Sequence, residues 1–187
     1  MNEIEPKVRF KITVIGDGQV GKTSLIKKFT KGGFQKDYIK TIGAQFSIYD
    51  KKINRENIRL LFWDIAGQDD FNFLRPYFYR DSIAAIIVFS LEENELGEDS
   101  FNHISNWYED VKQFCGNIPI MLFANKVDLI NEDNLENSKI QEIVNKYNFL
   151  GYYITSAKTG QGVIDAFNTI IETLYHKFKS KTPVYKE

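Results

Sequence analysis

Apolar and polar residues alternate through Phe10, Ile12 and Val14, so residues 7–15 read as a strand. Leu25, Ile26 and Phe29 then recur at helical spacing, which predicts a helix over 22–30 that stops at the Gly32-Gly33 pair. Residues 33–43 carry no periodicity and read as a loop, long enough inside a compact domain to have a function. Alternation resumes over 45–53 and 57–65, two strands of a hairpin joined by a polar Asn54-Arg55-Glu56 turn. A breaker-rich stretch covers 66–80. The runs 83–89 and 118–124 are continuously apolar, as expected of strands buried on both faces of a mostly parallel sheet, and a shorter run follows at 152–154. Between them Phe101, Ile104, Tyr108 and Val111 share one helical face, as do Ile140, Ile143, Val144 and Tyr147. A last helix buries Val163, Phe167, Ile170, Ile171 and Leu174 and gives way near Phe178. Strands and helices alternate throughout, which predicts a doubly wound α/β domain whose ligands bind at the carboxyl ends of the strands.

Chemistry gathers at those ends. Gly16-Asp17-Gly18-Gln19-Val20-Gly21-Lys22-Thr23 follows the first strand and opens the first helix, fitting G-x-x-x-x-G-K-[ST] in the context that gives the pattern its meaning. Glycines at 16, 18 and 21 let consecutive backbone N–H groups aim at one point, and the positive end of the helix, with Ser24 in its first turn, faces the same point. Lys22 is placed to reach outer phosphates and the Thr23 hydroxyl to hold a Mg²⁺ that bridges them, so the chain is expected to bind a nucleoside triphosphate. Asp64, at the end of the second hairpin strand, is a second ligand for that ion, acting through water. Gly67 brings its N–H close to a terminal phosphate, and Gln68 is then placed to orient an attacking water. Asn125-Lys126-Val127-Asp128 follows the buried strand that ends at Ala124. The Asp128 carboxylate can accept two hydrogen bonds from the N1–H and N2–H₂ edge of guanine, a donor pair adenine lacks, while the Lys126 stem packs along the base. Thr155-Ser156-Ala157-Lys158 closes the next strand, where the Ala157 N–H would meet the guanine O6. A phosphate-loop ATPase or kinase would require 125–128 to be accidental.

The 187 residues form one expected domain, with a core over about 7–178 flanked by a short N-terminal extension and a C-terminal tail. A net charge of −1 gives no attraction to nucleic acid. The single cysteine, Cys115, excludes an internal disulfide and suits a reducing compartment, so a cytoplasmic protein is expected; as a lone thiol it reads as packing. The N-terminus has no signal-peptide pattern and the C-terminus no prenylatable cysteine, so membrane association is expected to be weak and peripheral at most. His103 and His176 fall on predicted helices away from the strand ends and read as surface or packing residues.

GDGQVGKT, Thr41, WDIAGQ, NKVD and TSAK, in this order and spacing, resemble the five nucleotide motifs of the Ras superfamily of small GTPases over about 7–177. The resemblance implies a six-stranded, mostly parallel sheet with one antiparallel strand and about five helices on both faces, a monomer that binds GTP or GDP with Mg²⁺. It implies that Thr41 ligates the ion in the GTP state, that Phe34 stacks on the guanine edge and that Tyr38 lies over the phosphates. It also makes the stretches near 34–43 and 66–80 nucleotide-dependent switches, read by effectors and acted on by exchange factors and GTPase-activating proteins. Phe46, Trp63 and Phe78 match the aromatic positions with which Rab proteins present nucleotide state, although packing of the hairpin face accounts for Phe46 and Trp63 as well. Gln68-Asp69-Asp70-Phe71 with Leu74-Arg75-Pro76 is similar to the Rho branch instead, while the helical insert of Rho proteins is absent. The acidic run 92–99 makes a loop a few residues longer than in Rab proteins and reads as a solvated turn. Slow GTP hydrolysis follows, with Lys22, Thr41 and Gln68 as its catalytic residues; the rival reading is a GTP-binding adaptor that scarcely turns over.

Overall fold

The computed structural model describes residues 8–31, 35–41, 44–65 and 75–181, with 35–41 and 181 described through their backbone. Seven strands form one sheet: β1 (Val8–Ile15), β2 (Gln35–Thr41), β3 (Ala44–Ile53), β4 (Glu56–Ile65), β5 (Ala84–Ser90), β6 (Ile120–Asn125) and β7 (Gly151–Thr155). Their spatial order is β2-β3-β4-β1-β5-β6-β7. β1, β4, β5, β6 and β7 run parallel, and β3 is antiparallel to β4. These are the six expected strands. The seventh, β2, lies where the sequence pattern predicts a loop; it pairs antiparallel with β3, with a register shift between Gln35 and Tyr38. An edge strand held by main-chain hydrogen bonds needs no alternation of its own, which is why periodicity missed it.

The helices are α1 (Lys22–Thr30), α2 (Arg75–Tyr79), α3 (Glu95–Asn102), α4 (Ile104–Cys115), α5 (Asn137–Tyr147) and α6 (Val163–Lys181). They cover both faces, and the strand side chains divide between them with period two. Ala84, Ile86 and Val88 of β5 and Met121 and Phe123 of β6 pack in the core with α1 and α6. Ala85, Ile87, Phe89, Ile120, Leu122 and Ala124 pack in the core with α4 and α5. Unbroken apolar runs are the sequence signature of strands buried on both sides. Phe167 of α6 anchors the first core: Phe29 stacks on it at 4.5 Å, and the edges of Phe62 and Phe123 meet it at 5.3 and 5.2 Å. Each such buried ring contributes roughly 1.5–3 kcal/mol of burial before geometry is counted.

Three local expectations are revised. The hairpin turn is Asn54-Arg55 alone, both with positive φ (46° and 71°), and Glu56 already pairs with Ile53, giving the tight turn that suits strand twist. The acidic run after β5 is not a solvated turn. It folds as α3 because the Asn94 side chain caps the Gly97 N–H at 3.1 Å and Glu95 and Glu98 complement the positive end of the helix. α6 continues past Phe178 to Lys181, steadied where the Phe178 edge meets Phe10 and Lys179 donates to Glu56. Among the described residues no helix is long and apolar enough to cross a membrane.

Candidate nucleotide site

Chain order reverses at β1: the strands that follow it directly lie on one side, and β5 and its successors on the other. A crevice at such a reversal, outside the carboxyl ends of the strands, is where doubly wound sheets bind ligands. The loop 16–21 occupies it between β1 and α1. Gly18 has an ordinary φ and no heavy atom near its missing Cβ, so the conformational requirement expected of it falls instead on Gln19, whose φ is +64°. Gly21 is required twice over. Its φ is +100°, and a Cβ there would stand 2.4 Å from Asn125 Nδ2.

Lys22 is buried and folds back along the loop, its Nζ donating to the Gly16 carbonyl at 2.8 Å and the Asp17 carbonyl at 2.6 Å. Burial, only partly offset by Asp64 and Asp17, pushes its ammonium down to about 8. A phosphate beside Nζ favours the charged form, so binding at pH 8 is expected to take up roughly half a proton. The sign follows: below pH 7 Lys22 is already charged and uptake vanishes, whereas affinity declines as pH rises through 8. Calorimetric titration of the nucleotide-free protein with GDP at pH 8, in buffers of differing ionisation enthalpy, measures this; heats independent of buffer would reject it.

The Thr23 hydroxyl donates to the Asp64 carboxylate, which the pairing of Val14 with Asp64 brings to the end of β1. Asp64 is buried, and desolvation raises its carboxyl above the usual range against the pull of Thr23 and Lys22. A buried carboxylate beside a hydroxyl is a pair of hard oxygen donors that a Mg²⁺ fits. Ser24 lies exposed on the first turn of α1.

Asn125 ties the two ends of the crevice together. Its Nδ2 donates to the Val20 carbonyl at 2.8 Å, and its Oδ1 accepts from Thr155 Oγ1 and from the Ala157 N–H, each at 3.2 Å. In this structure the Ala157 amide, expected to meet the guanine O6, donates to Asn125. Asp128 accepts from Ser156 Oγ at 2.5 Å, and Lys158 Nζ lies 3.5 Å from its other oxygen. The Ser156 bond, ahead of Lys158, holds the Asp128 carboxyl below its ordinary value, so the group is an anion ready to accept. Lys126 sits at φ +72° and pairs with Glu92, a residue that sequence reasoning assigned to a solvated turn. Phe34, Gly67 and Gln68 lie outside the described residues, and Tyr38 and Thr41 are described through the backbone of β2 alone.

His103 is a second correction. It stands against the phosphate loop, its Nδ1 2.7 Å from Asp17 Oδ2, while Trp107 Nε1 donates to Asp17 Oδ1 at 2.7 Å. No sequence pattern links positions so far apart. Arg75 is drawn to the same corner, its guanidinium 4.5 Å from the centre of the Trp107 ring and its Nη1 on Asp110 at 2.9 Å. Arg80 is exposed beside Asp81, away from the crevice. Phe46 and Trp63 face each other across β3 and β4, stacked at 5.6 Å, and Trp63 meets Phe78 at 6.0 Å. Phe46 and Trp63 are partly buried and Phe78 is buried, so the trio packs against the sheet, with Lys11 Nζ 4.3 Å from the centre of the Trp63 ring.

The model of the Ras family matches residues 11–176 of the chain. The chain is 33% identical over 177 residues to GTP-binding protein RHO1 of Saccharomyces cerevisiae, an alignment covering 88% of the chain and 83% of that protein. It is 36% identical over 161 residues to Ras-related protein Rab-21 of Bos taurus, covering 84% of the chain and 69% of that protein.

Proposed function

Because the chain belongs to the Ras family of small GTPases, which bind guanine nucleotide and hydrolyse GTP, we propose that it is a Rab-like timed switch with slow intrinsic turnover. The observation that carries this reading is the convergence at the strand ends. Lys22 and the Thr23–Asp64 pair lie at one end of the crevice and the Asp128 carboxylate at the other, and Asn125 bonds to Val20 of the loop beside the first and to Ala157 of the segment beside the second.

In this reading the loop 16–21 and Lys22 bind the β- and γ-phosphates and stabilise the charge that develops as water attacks the γ-phosphorus in line. Thr23 and Thr41 would ligate a Mg²⁺, with Asp64 holding it through water; the ion neutralises phosphate charge when bound. Gln68 orients the water. Phe34 and Lys126 flank the base, Tyr38 and the Gly67 N–H cover the phosphates, and Ser156, Ala157 and Lys158 shape the wall around Asp128. Arg75 is held by Asp110 and Trp107 and Arg80 lies exposed beside Asp81, so neither is assigned as an internal arginine finger. An activating protein that inserts an arginine would add on the order of 10³–10⁵ in rate. Phe46, Trp63 and Phe78 are the proposed effector surface, with membrane traffic or signalling as the process served.

Single-turnover hydrolysis of GTP, with ATP alongside, tests the reading. Gln68→Leu is expected to keep GTP affinity and slow phosphate release by about tenfold or more. Tight GTP binding with no release from the parent chain would favour an adaptor that holds nucleotide without timing it.

A further inference from the structure

A groove of about 820 Å³ opens between α3 and the segment 130–140, with the end of β5 as its floor. It lies outside the nucleotide crevice and away from the aromatic trio. Two properties of its lining together define an occupant. Leu91, Phe101 and Leu135 reach it as partly buried side chains of the core, so its base is apolar. Its rim is acidic: Glu93, Glu98 and Glu136 line it above Glu92, with Lys139 as the one lysine, and Lys139 is already paired with Glu136. Glu93 and Glu98 are exposed.

Such a lining selects its occupant by charge. Phosphorylated and nucleic-acid ligands are repelled by the rim, and a neutral apolar ligand covers the exposed Glu93 and Glu98 without offering either a cation. A segment carrying lysines or arginines around a large apolar anchor satisfies both. Eight residues of α3 span about 12 Å at 1.5 Å per residue, which accommodates two turns of a docked helix.

The groove is also wired to the nucleotide site. Glu92, on its floor, holds Lys126 and accepts from Ser90 Oγ at 2.9 Å. The Ser90 N–H in turn donates to Ser100 Oγ on α3 at 3.0 Å. Gly97 packs so tightly on this floor that a Cβ would stand 1.8 Å from the Glu92 carbonyl oxygen. α3 and the lysine of the base-reading motif therefore share one anchoring residue. A cation entering the groove competes with Lys126 for Glu92.

We infer that the groove between α3 and residues 130–140 docks a basic, apolar-anchored segment of a partner protein, and that docking loosens nucleotide by drawing Glu92 from Lys126. The second half rests on the guanine-nucleotide reading above; the first does not. The test is selection of a phage-displayed random twelve-residue peptide library on the full chain loaded with GDP. A recovered peptide is then synthesised, and its affinity and its effect on the release of fluorescent mant-GDP are measured. Recovered peptides should place lysine or arginine beside leucine, phenylalanine or tryptophan. Binding should weaken by about tenfold or more in the double variant Glu93→Lys/Glu98→Lys, whose melting and GDP affinity stay those of the parent. The peptide should speed mant-GDP release about threefold or more from the parent and not from Glu92→Gln. Failure to recover any peptide, recovery of peptides without basic residues, or binding indifferent to the double variant overturns the docking site. Binding that never alters release overturns the coupling. A chain that does not retain mant-GDP at all would sink the nucleotide reading, while the double variant still decides the docking site.

Discussion

Asp128→Asn is expected to lower GDP and GTP affinity by about 10²–10⁴ and to raise affinity for xanthine nucleotides. Each hydrogen bond to a charged acceptor contributes about 1.5–3 kcal/mol, and the carboxylate is assigned two, to the N1–H and the exocyclic amine of guanine. An amide in its place keeps one acceptor and turns the other into a donor that faces a donor. Xanthine presents a carbonyl at that position and restores the pair, so selectivity moves in a known direction as affinity falls. The fold should survive, because Ser156 Oγ donates to Asp128 Oδ1 at 2.5 Å and an amide oxygen accepts the same bond. Titration of mant-GDP and mant-XDP against both proteins measures the change. Unaltered GDP affinity would show that Asp128 does not read the base, and equal loss for both nucleotides would show that the substitution merely disrupts the wall of the crevice.

The parts of this site legible in the sequence are those in which neighbours in the chain act together. The loop 16–23 is assigned to phosphate through consecutive amides, so its requirements are written in consecutive residues. The unbroken apolar runs that became β5 and β6 announced burial on both faces for the same reason. What escaped notice depends on pairings over long separations. Asp17 and His103 are 86 residues apart in the chain, and Glu92 and Lys126 are 34 apart. A lone histidine or a glutamate in an acidic run has no local feature that names its partner. α3 was hidden differently. Its buried positions are Gly97 and Ser100, small residues chosen by close approach to the 90–92 segment, and they leave no apolar stripe to count. β2 is a backbone event at the sheet edge. The aromatic trio was legible as residues but not as geometry, since cross-strand stacking of Phe46 on Trp63 follows from the register of β3 with β4.

Asn125→Ala is expected to cost about 3–5 kcal/mol of stability in the nucleotide-free protein and to weaken GDP binding as well, since Asn125, expected among the nucleotide-binding residues, also braces the crevice through its own bonds to the protein. The side chain is almost wholly buried and serves Val20, Thr155 and Ala157 at once. Removing it strands the Val20 carbonyl, the Thr155 hydroxyl and the Ala157 N–H, and each buried polar group left without a partner costs about 1–3 kcal/mol. Thr155 Oγ1 retains a long contact to the Ala124 carbonyl at 3.4 Å, so the sum falls short of three full penalties. Urea denaturation of the stripped proteins measures the first effect, and mant-GDP titration the second. The two belong together because Asn125 is the strut between the loop assigned to the phosphates and the wall assigned to the base. With the strut gone, the two half-sites no longer hold their spacing, and binding energy is spent on restoring it. If the variant lost affinity but unfolded with the parent midpoint, Asn125 would be a direct nucleotide contact and the crevice would owe its spacing to the sheet alone. If it lost stability but kept affinity, the bound nucleotide itself would bridge the two ends, and the strut would matter only to the empty protein.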